Sequence, residues 1–188
     1  MINLLLILNI FNPISINDSN IPDCYYQAFE IIKNDFCQDK EKFNFFEDYL
    51  NYIYKIDNCE KVNYCVSRIL YRRLSYVFFG KQLVALRYPE LNDSSKIYKA
   101  FEIEQDDSTS EQVYDSNFIM FPDSNLAKCN MIIFFSMIQG DNTFIAEVYL
   151  YNSTRKYFFK YSPISICYLF SLDHKYNIDT SYSLMITP

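Results

Sequence analysis

The sequence predicts an α+β domain: about three N-terminal helices packed on a C-terminal antiparallel meander sheet of five to six strands, stabilised by disulfides. Three observations lead there. Apolar residues recur with a helical period up to about residue 79. After Gly80 they gather into short runs rich in Val, Ile, Phe and Tyr, separated by turn residues. Six cysteines are spread along the chain.

The first helix is expected to begin after Asn20, with Pro22 in its first turn, where a missing N–H costs nothing. Tyr25, Ala28, Phe29, Ile32 and Phe36 then fall on one face. A second helix is expected from Lys40 to Ile56, with Phe43, Phe46, Leu50 and Ile53 inward. A third is expected from Lys61 to Phe79, with Val62, Val66, Ile69, Leu70, Leu74 and Val77 inward and Gly80 as its stop.

Strands are expected at Gln82–Tyr88, which Pro89 ends, and at Ile97–Glu104 and Val113–Phe121. Lys128–Ile138 and Thr143–Tyr151 flank Gln139-Gly140-Asp141-Asn142, a spacing that fits a hairpin. Lys156–Tyr161 and Ile164–Phe170 follow, and Tyr182–Thr187 is a candidate edge strand. The helical part thus covers about residues 22–80 and the strand-rich part about 82–187 of a single domain spanning 20–188.

Residues 1–19 read as a signal peptide. Met1 to Phe11 is an apolar run of about 15 Å as a helix, half a bilayer core, which suits the apolar region of a secretory leader better than a membrane span. It lacks a preceding Lys or Arg and an A-x-A cleavage pattern, with Ser15 and Ser19 the small residues nearest a cut. Beyond it no apolar run reaches membrane-spanning length; the longest is Met131–Ile138.

Cys24, Cys37, Cys59, Cys65, Cys129 and Cys167 all follow the leader, and an even number in a secreted chain reads as a disulfide framework. Zinc fits poorly, because the closest pair is Cys59-x5-Cys65 and the only histidine is His174. If the first two helices form an antiparallel hairpin, Cys24 lies near Cys59 and Cys65, and Cys37 reaches the sheet at Cys129 or Cys167. A Cys37–Cys59 bond would contradict that hairpin. Sequons at Asn17, Asn92 and Asn152 agree with a secreted chain; Asn92 and Asn152, in expected turns, are the glycosylation candidates.

The chemistry is mostly exclusion. With only Gly80 and Gly140, the chain has neither a P-loop nor a dinucleotide fingerprint, so no nucleotide cofactor is expected. A net charge of −6 argues against nucleic acid as a partner, and Arg68, Arg72 and Arg73 read as a solvated helix face. His174 beside Asp173 has no G-x-S-x-G elbow to serve and reads as a loop histidine. The acidic stretch Glu102, Glu104, Asp106, Asp107 and Glu111 lacks the EF-hand pattern and reads as a solvated loop, and no metal is expected. The 18 Tyr and 17 Phe either form a binding surface or reflect AT-rich codons, and the abundance of Asn, Ile and Lys favours the codons.

The function expected is therefore a secreted, non-enzymatic interaction protein that binds another protein or a surface. The alternatives are a carrier of a small apolar ligand and, last, a secreted hydrolase built on His174 or a carboxylate pair. Oligomeric state is left open.

Overall fold

The computed structural model of the protein describes residues 21–71, 79–87, 112–114, 129–151 and 164–186. Helix α1 spans Ile21–Gln38 and α2 spans Lys40–Tyr54; a 3-10 turn at Cys59–Lys61 leads into strand β1, Tyr64–Tyr71. Helix α3, Gly80–Arg87, precedes β2, Gln112–Tyr114. Strands β3, Met131–Ser136, β4, Thr143–Leu150, β5, Ser165–Leu172, and β6, Ile178–Ile186, follow. They form one six-stranded sheet in the order β2-β1-β3-β4-β5-β6. The expected strands at 97–104 and 156–161, and most of 113–121, lie outside the described residues.

The class is α+β as expected, but the sheet is mixed. Strand β1 pairs parallel with β3, while β2 on β1 and the neighbours from β3 to β6 are antiparallel. Over Tyr64–Tyr71 the third expected helix is replaced by β1, for a local reason, and 72–78 lie outside the described residues. Val66 lies opposite Ile133 and Leu70 opposite Phe135, so three residues of β1 stand against the single Phe134. This bulge sets the two inward residues four apart, which is the spacing of a helix. The expected strand at 82–88 is instead α3. Lys81, Gln82, Leu83, Ala85, Leu86 and Arg87 are all strong helix formers, and Gly80 is the first residue of this helix.

Helices cover both faces of the sheet, not one. On one side Tyr25, Ala28, Ile32 and Phe36 of α1 and Phe46 and Leu50 of α2 pack with Val66, Leu70, Ile133, Phe135, Phe144, Val148, Tyr168 and Phe170. On the other, Phe79 and Leu83 pack with Tyr71, Ile145, Cys167 and Leu169. The first space is filled with rings: Tyr25 meets Phe135 and Phe144 at 5.2 and 4.9 Å, and Phe144 stacks on Phe170 at 5.0 Å.

One residue, Asp39, joins α1 to α2. Its N–H donates to Asp35 O as a continuation of α1, and its carboxylate accepts from Glu41 N–H as the N-cap of α2. A helical hairpin needs a loop of roughly two to five residues. With one, the chain turns a corner, and Cys37 stays at the joint. That overturns the expected pairing: Cys37 is bonded to Cys59, with Cα atoms 5.4 Å apart, and Cys65 to Cys129. Cys24 and Cys167 belong to neither bond and are buried on opposite faces of the sheet.

The turns show how a chain with two glycines manages left-handed backbone. Among the described residues, positive φ falls on Lys55, Asn142 and Tyr176. The β3–β4 hairpin forms where expected, but Asn142 rather than Gly140 takes the left-handed position, with Asn142 N–H donating to Gln139 O at 2.9 Å. At the end of α2, Lys55 is left-handed, φ 58 and ψ 36, and donates its N–H to Asn51 O. A side chain there costs about 1–2 kcal/mol relative to glycine. Lys55→Gly is therefore expected to stabilise the protein by about 1 kcal/mol, read as a higher urea midpoint with an unchanged m value.

Candidate functional site

Helix α2 carries the most exposed aromatic side chains described. Its buried stripe is Lys42, Phe46 and Leu50, four residues apart. Phe43 is half-buried, and Ile53, expected inward, is 40% exposed, because the chain leaves the helix at Lys55 and Ile56 takes the last inward place. The helix is therefore rotated so that Tyr49, Tyr52 and Ile53, at i, i+3 and i+4, share an outward face. Tyr52 is 83% exposed and Tyr49 45%. With Asp48, Asn51 and Lys55 the two tyrosines line an open groove of about 550 Å³. The Lys55 ammonium lies 6.0 Å from the Tyr52 ring centroid and donates to the Tyr52 backbone O at 3.5 Å. Rings, phenols and both signs of charge at one groove suit contact with a protein surface.

Two polar clusters hold the scaffold. At the helix joint the buried Lys42 ammonium forms ion pairs with Asp35 and with Asp39, the latter at 3.4 Å, and stands 5.7 Å from the Tyr168 ring centroid. Burial, then the Asp35 carboxylate, pushes the Tyr168 phenol well above its usual range. Desolvation pulls Asp39 upward, but the Glu41 N–H and the Lys42 ammonium outweigh it and its pKa falls below the usual value. On the α3 face, buried Glu147 accepts a 2.6 Å hydrogen bond from Tyr149. Glu147 stands opposite Cys167 in the β4–β5 register. Burial, then the Glu147 charge, raises the phenols of Tyr149 and Tyr71.

The site residues expected from sequence are dispersed. Cys37, Cys59, Cys65 and Cys129 form the two disulfides. Asn17, Asn92 and Asn152, the acidic stretch at 102–111, and Arg72 and Arg73 lie outside the described residues. Arg68 lies within β1, at its bulge. His174 is exposed in the β5–β6 turn, and the Asp173 carboxylate accepts from the N–H groups of Lys175 at 2.7 Å and Asn177 at 2.9 Å. Those bonds lower its pKa, the Asn177 N–H most. Among the described residues no His, Cys, Asp or Glu group could hold a metal ion. Among them, too, no helix is long and apolar enough to cross a membrane.

The outward face of α2 was missed, although the spacing of Tyr49, Tyr52 and Ile53 was visible once Phe46 and Leu50 were placed inward. Lys42 was missed because a lysine in the buried stripe is legible only after its two carboxylates are in place. The chain matches no family model, no curated protein and no solved structure.

Two contrasts follow from these clusters. Tyr149→Phe removes a charge-assisted hydrogen bond and is expected to cost about 2 kcal/mol. The Tyr64 hydroxyl is buried with no partner, so Tyr64→Phe is expected to be neutral or stabilising by about 1 kcal/mol; urea unfolding of both variants checks the pair. Burial pushes Cys24 and Tyr54 up to about 12, and Tyr64 higher still. The folded chain thus keeps protons that the unfolded chain releases above the ordinary values of 9.0 and 10.0. Their contribution is complete below those values and is lost as pH rises through the raised ones. The melting temperature is expected to begin falling above about pH 9 and to fall more steeply beyond pH 10; a rise across that window contradicts this assignment.

Proposed function

We propose that the protein is a secreted, non-enzymatic interaction protein whose contact surface is the outward face of α2. The observation that carries this reading is the exposure of Tyr49, Tyr52 and Ile53 side by side on one helix. Single exposed apolar residues are ordinary, but adjacent ones at a groove mark contact surfaces. The helix is also well braced: Asp39 caps its start, and the Cys37–Cys59 bond spans it. A rigid aromatic platform loses little entropy on binding.

Two disulfides support an oxidising compartment, and the apolar stretch before Asn12 supports entry into it. On this reading residues 1–19 are removed and Asn92 and Asn152 carry glycans. Carriage of a small apolar ligand between helices and sheet has less support, because aromatic rings in contact fill that space.

The full chain, expressed from Met1 in secretion-competent eukaryotic cells, is expected in the medium with its cysteines oxidised. A photo-crosslinking amino acid at Tyr52 is expected to yield an adduct with a second protein, and Tyr49→Ala to abolish it. The same probe at exposed Glu30 on α1 is expected to yield none. Equal adducts from both positions, or none from Tyr52, would overturn the assigned surface. Retention in the cytosol with reduced cysteines would overturn the address.

A further inference from the structure

Strand β6 closes one end of the sheet, and among the described residues it pairs only with β5. Edge strands are ordinarily guarded by lysine, proline, a bulge or brevity, because an open row of N–H and C=O groups recruits another strand. From Thr180 to Ile186 this edge has none of these guards. It is Thr-Ser-Tyr-Ser-Leu-Met-Ile, without charge or proline, within a strand of nine residues. Its one register irregularity lies before Thr180, opposite Ser171 and Leu172. Tyr182 and Met185 are 38% and 42% exposed.

The register assigns its faces. Tyr182, Leu184 and Ile186 stand opposite Leu169, Cys167 and Ser165, and Leu169 and Cys167 belong to the α3 side. Ser181, Ser183 and Met185 stand opposite Phe170, Tyr168 and Ile166, on the side of α1 and α2. Each face is thus uniform in character, apolar toward α3 and mostly small and polar toward the other helices.

We infer that two copies of this chain pair antiparallel through β6 about a two-fold axis at Ser183, joining their sheets into one. The uncharged run is symmetric about Ser183, so this centre pairs all of it. It sets Tyr182 of each copy opposite Leu184 of the other, and Thr180 opposite Ile186, so the α3 face matches aromatic to aliphatic and β-branched to β-branched. Ser181 meets Met185, and Ser183 meets itself, two hydroxyls that can hydrogen-bond. The strand's only charge, Asp179, falls just outside the paired run. The two Asp179 carboxylates then stand about 27 Å apart along the strands, well beyond the roughly 8–10 Å Debye length, so they oppose the pairing little. A foreign strand could meet the same backbone row, but the symmetric match of side chains favours a second copy.

The test uses the full chain. In sedimentation equilibrium the protein is expected to dimerise. Ser183→Lys places two ammonium groups face to face and is expected to raise the dimer dissociation constant about fivefold or more. Ser183→Cys is expected to form a covalent dimer under mild oxidation, whereas Ser181→Cys, opposite a methionine, is not. A monomer at high micromolar concentration would overturn the inference, as would cross-linking from Ser181→Cys equal to that from Ser183→Cys. Circular dichroism melting of each variant checks its fold; should the lysine variant unfold, the two cysteine variants decide.

Discussion

Strands β3, β4 and β5 are buried on both faces, and that double burial constrains the rest of the molecule. Seven of the eight residues of β4 are buried, and both inward and outward rows of β5 are too. A sheet with two apolar faces needs two covers. Helices α1 and α2 supply one and α3 helps supply the other. Most polar groups inside such a sandwich find partners within it, the Tyr64 and Tyr168 hydroxyls being exceptions. Ser136 does so three ways: its carbonyl accepts from Tyr25 OH, its Oγ accepts from Ile145 N–H, and its hydroxyl donates to Met137 O. Glu147 does so through Tyr149.

The disulfides join segments that are separated along the chain. Cys37–Cys59 closes the corner between α1 and α2, where a single residue links two helices. Cys65–Cys129 ties β1 to the segment that enters β3, its parallel neighbour. That parallel pair is joined by a long connection, whose loop entropy a cross-link reduces in the unfolded chain. On the outward side of α2 the described side chains of Tyr49, Tyr52 and Ile53 are exposed. Phe46 and Leu50 are buried in the core, while Tyr49 and Tyr52 are exposed. A surface that neither packs nor caps, yet stays aromatic, is the feature on which the proposed interaction rests.

Elements whose burial follows one simple period were legible in the sequence. On the inward face of α1, Tyr25, Ala28, Ile32 and Phe36 are buried as expected while Phe29 is only partly so, and the start of α1, the extent of α2 within two residues and the hairpin between β3 and β4 also agree. Strand β1 was not, because its bulge counterfeits helical spacing at Val66 and Leu70. Helix α3 was not, because Leu83, Val84 and Leu86 read as a strand when the propensities of Lys81, Gln82 and Ala85 are set aside. The cysteine pairing failed for a geometric reason. It assumed that two helices joined by Asp39 can lie antiparallel, and one residue is too short for that reversal. Of the exposed aromatic face of α2, only the excess of tyrosine was visible; which tyrosines face outward depended on how Lys42, Phe46 and Leu50 seat α2.

The two cysteines outside the disulfides report on the two faces separately, Cys24 beneath α1 and Cys167 toward α3. Thiol labelling of the native protein under increasing urea, followed residue by residue by mass spectrometry, therefore tests the two-sided cover directly. The account predicts that both are protected in the native state and become reactive together at the unfolding transition. Rapid native-state labelling of Cys167 while Cys24 stays protected would contradict it, because the α3 side of the sheet would then be open to solvent.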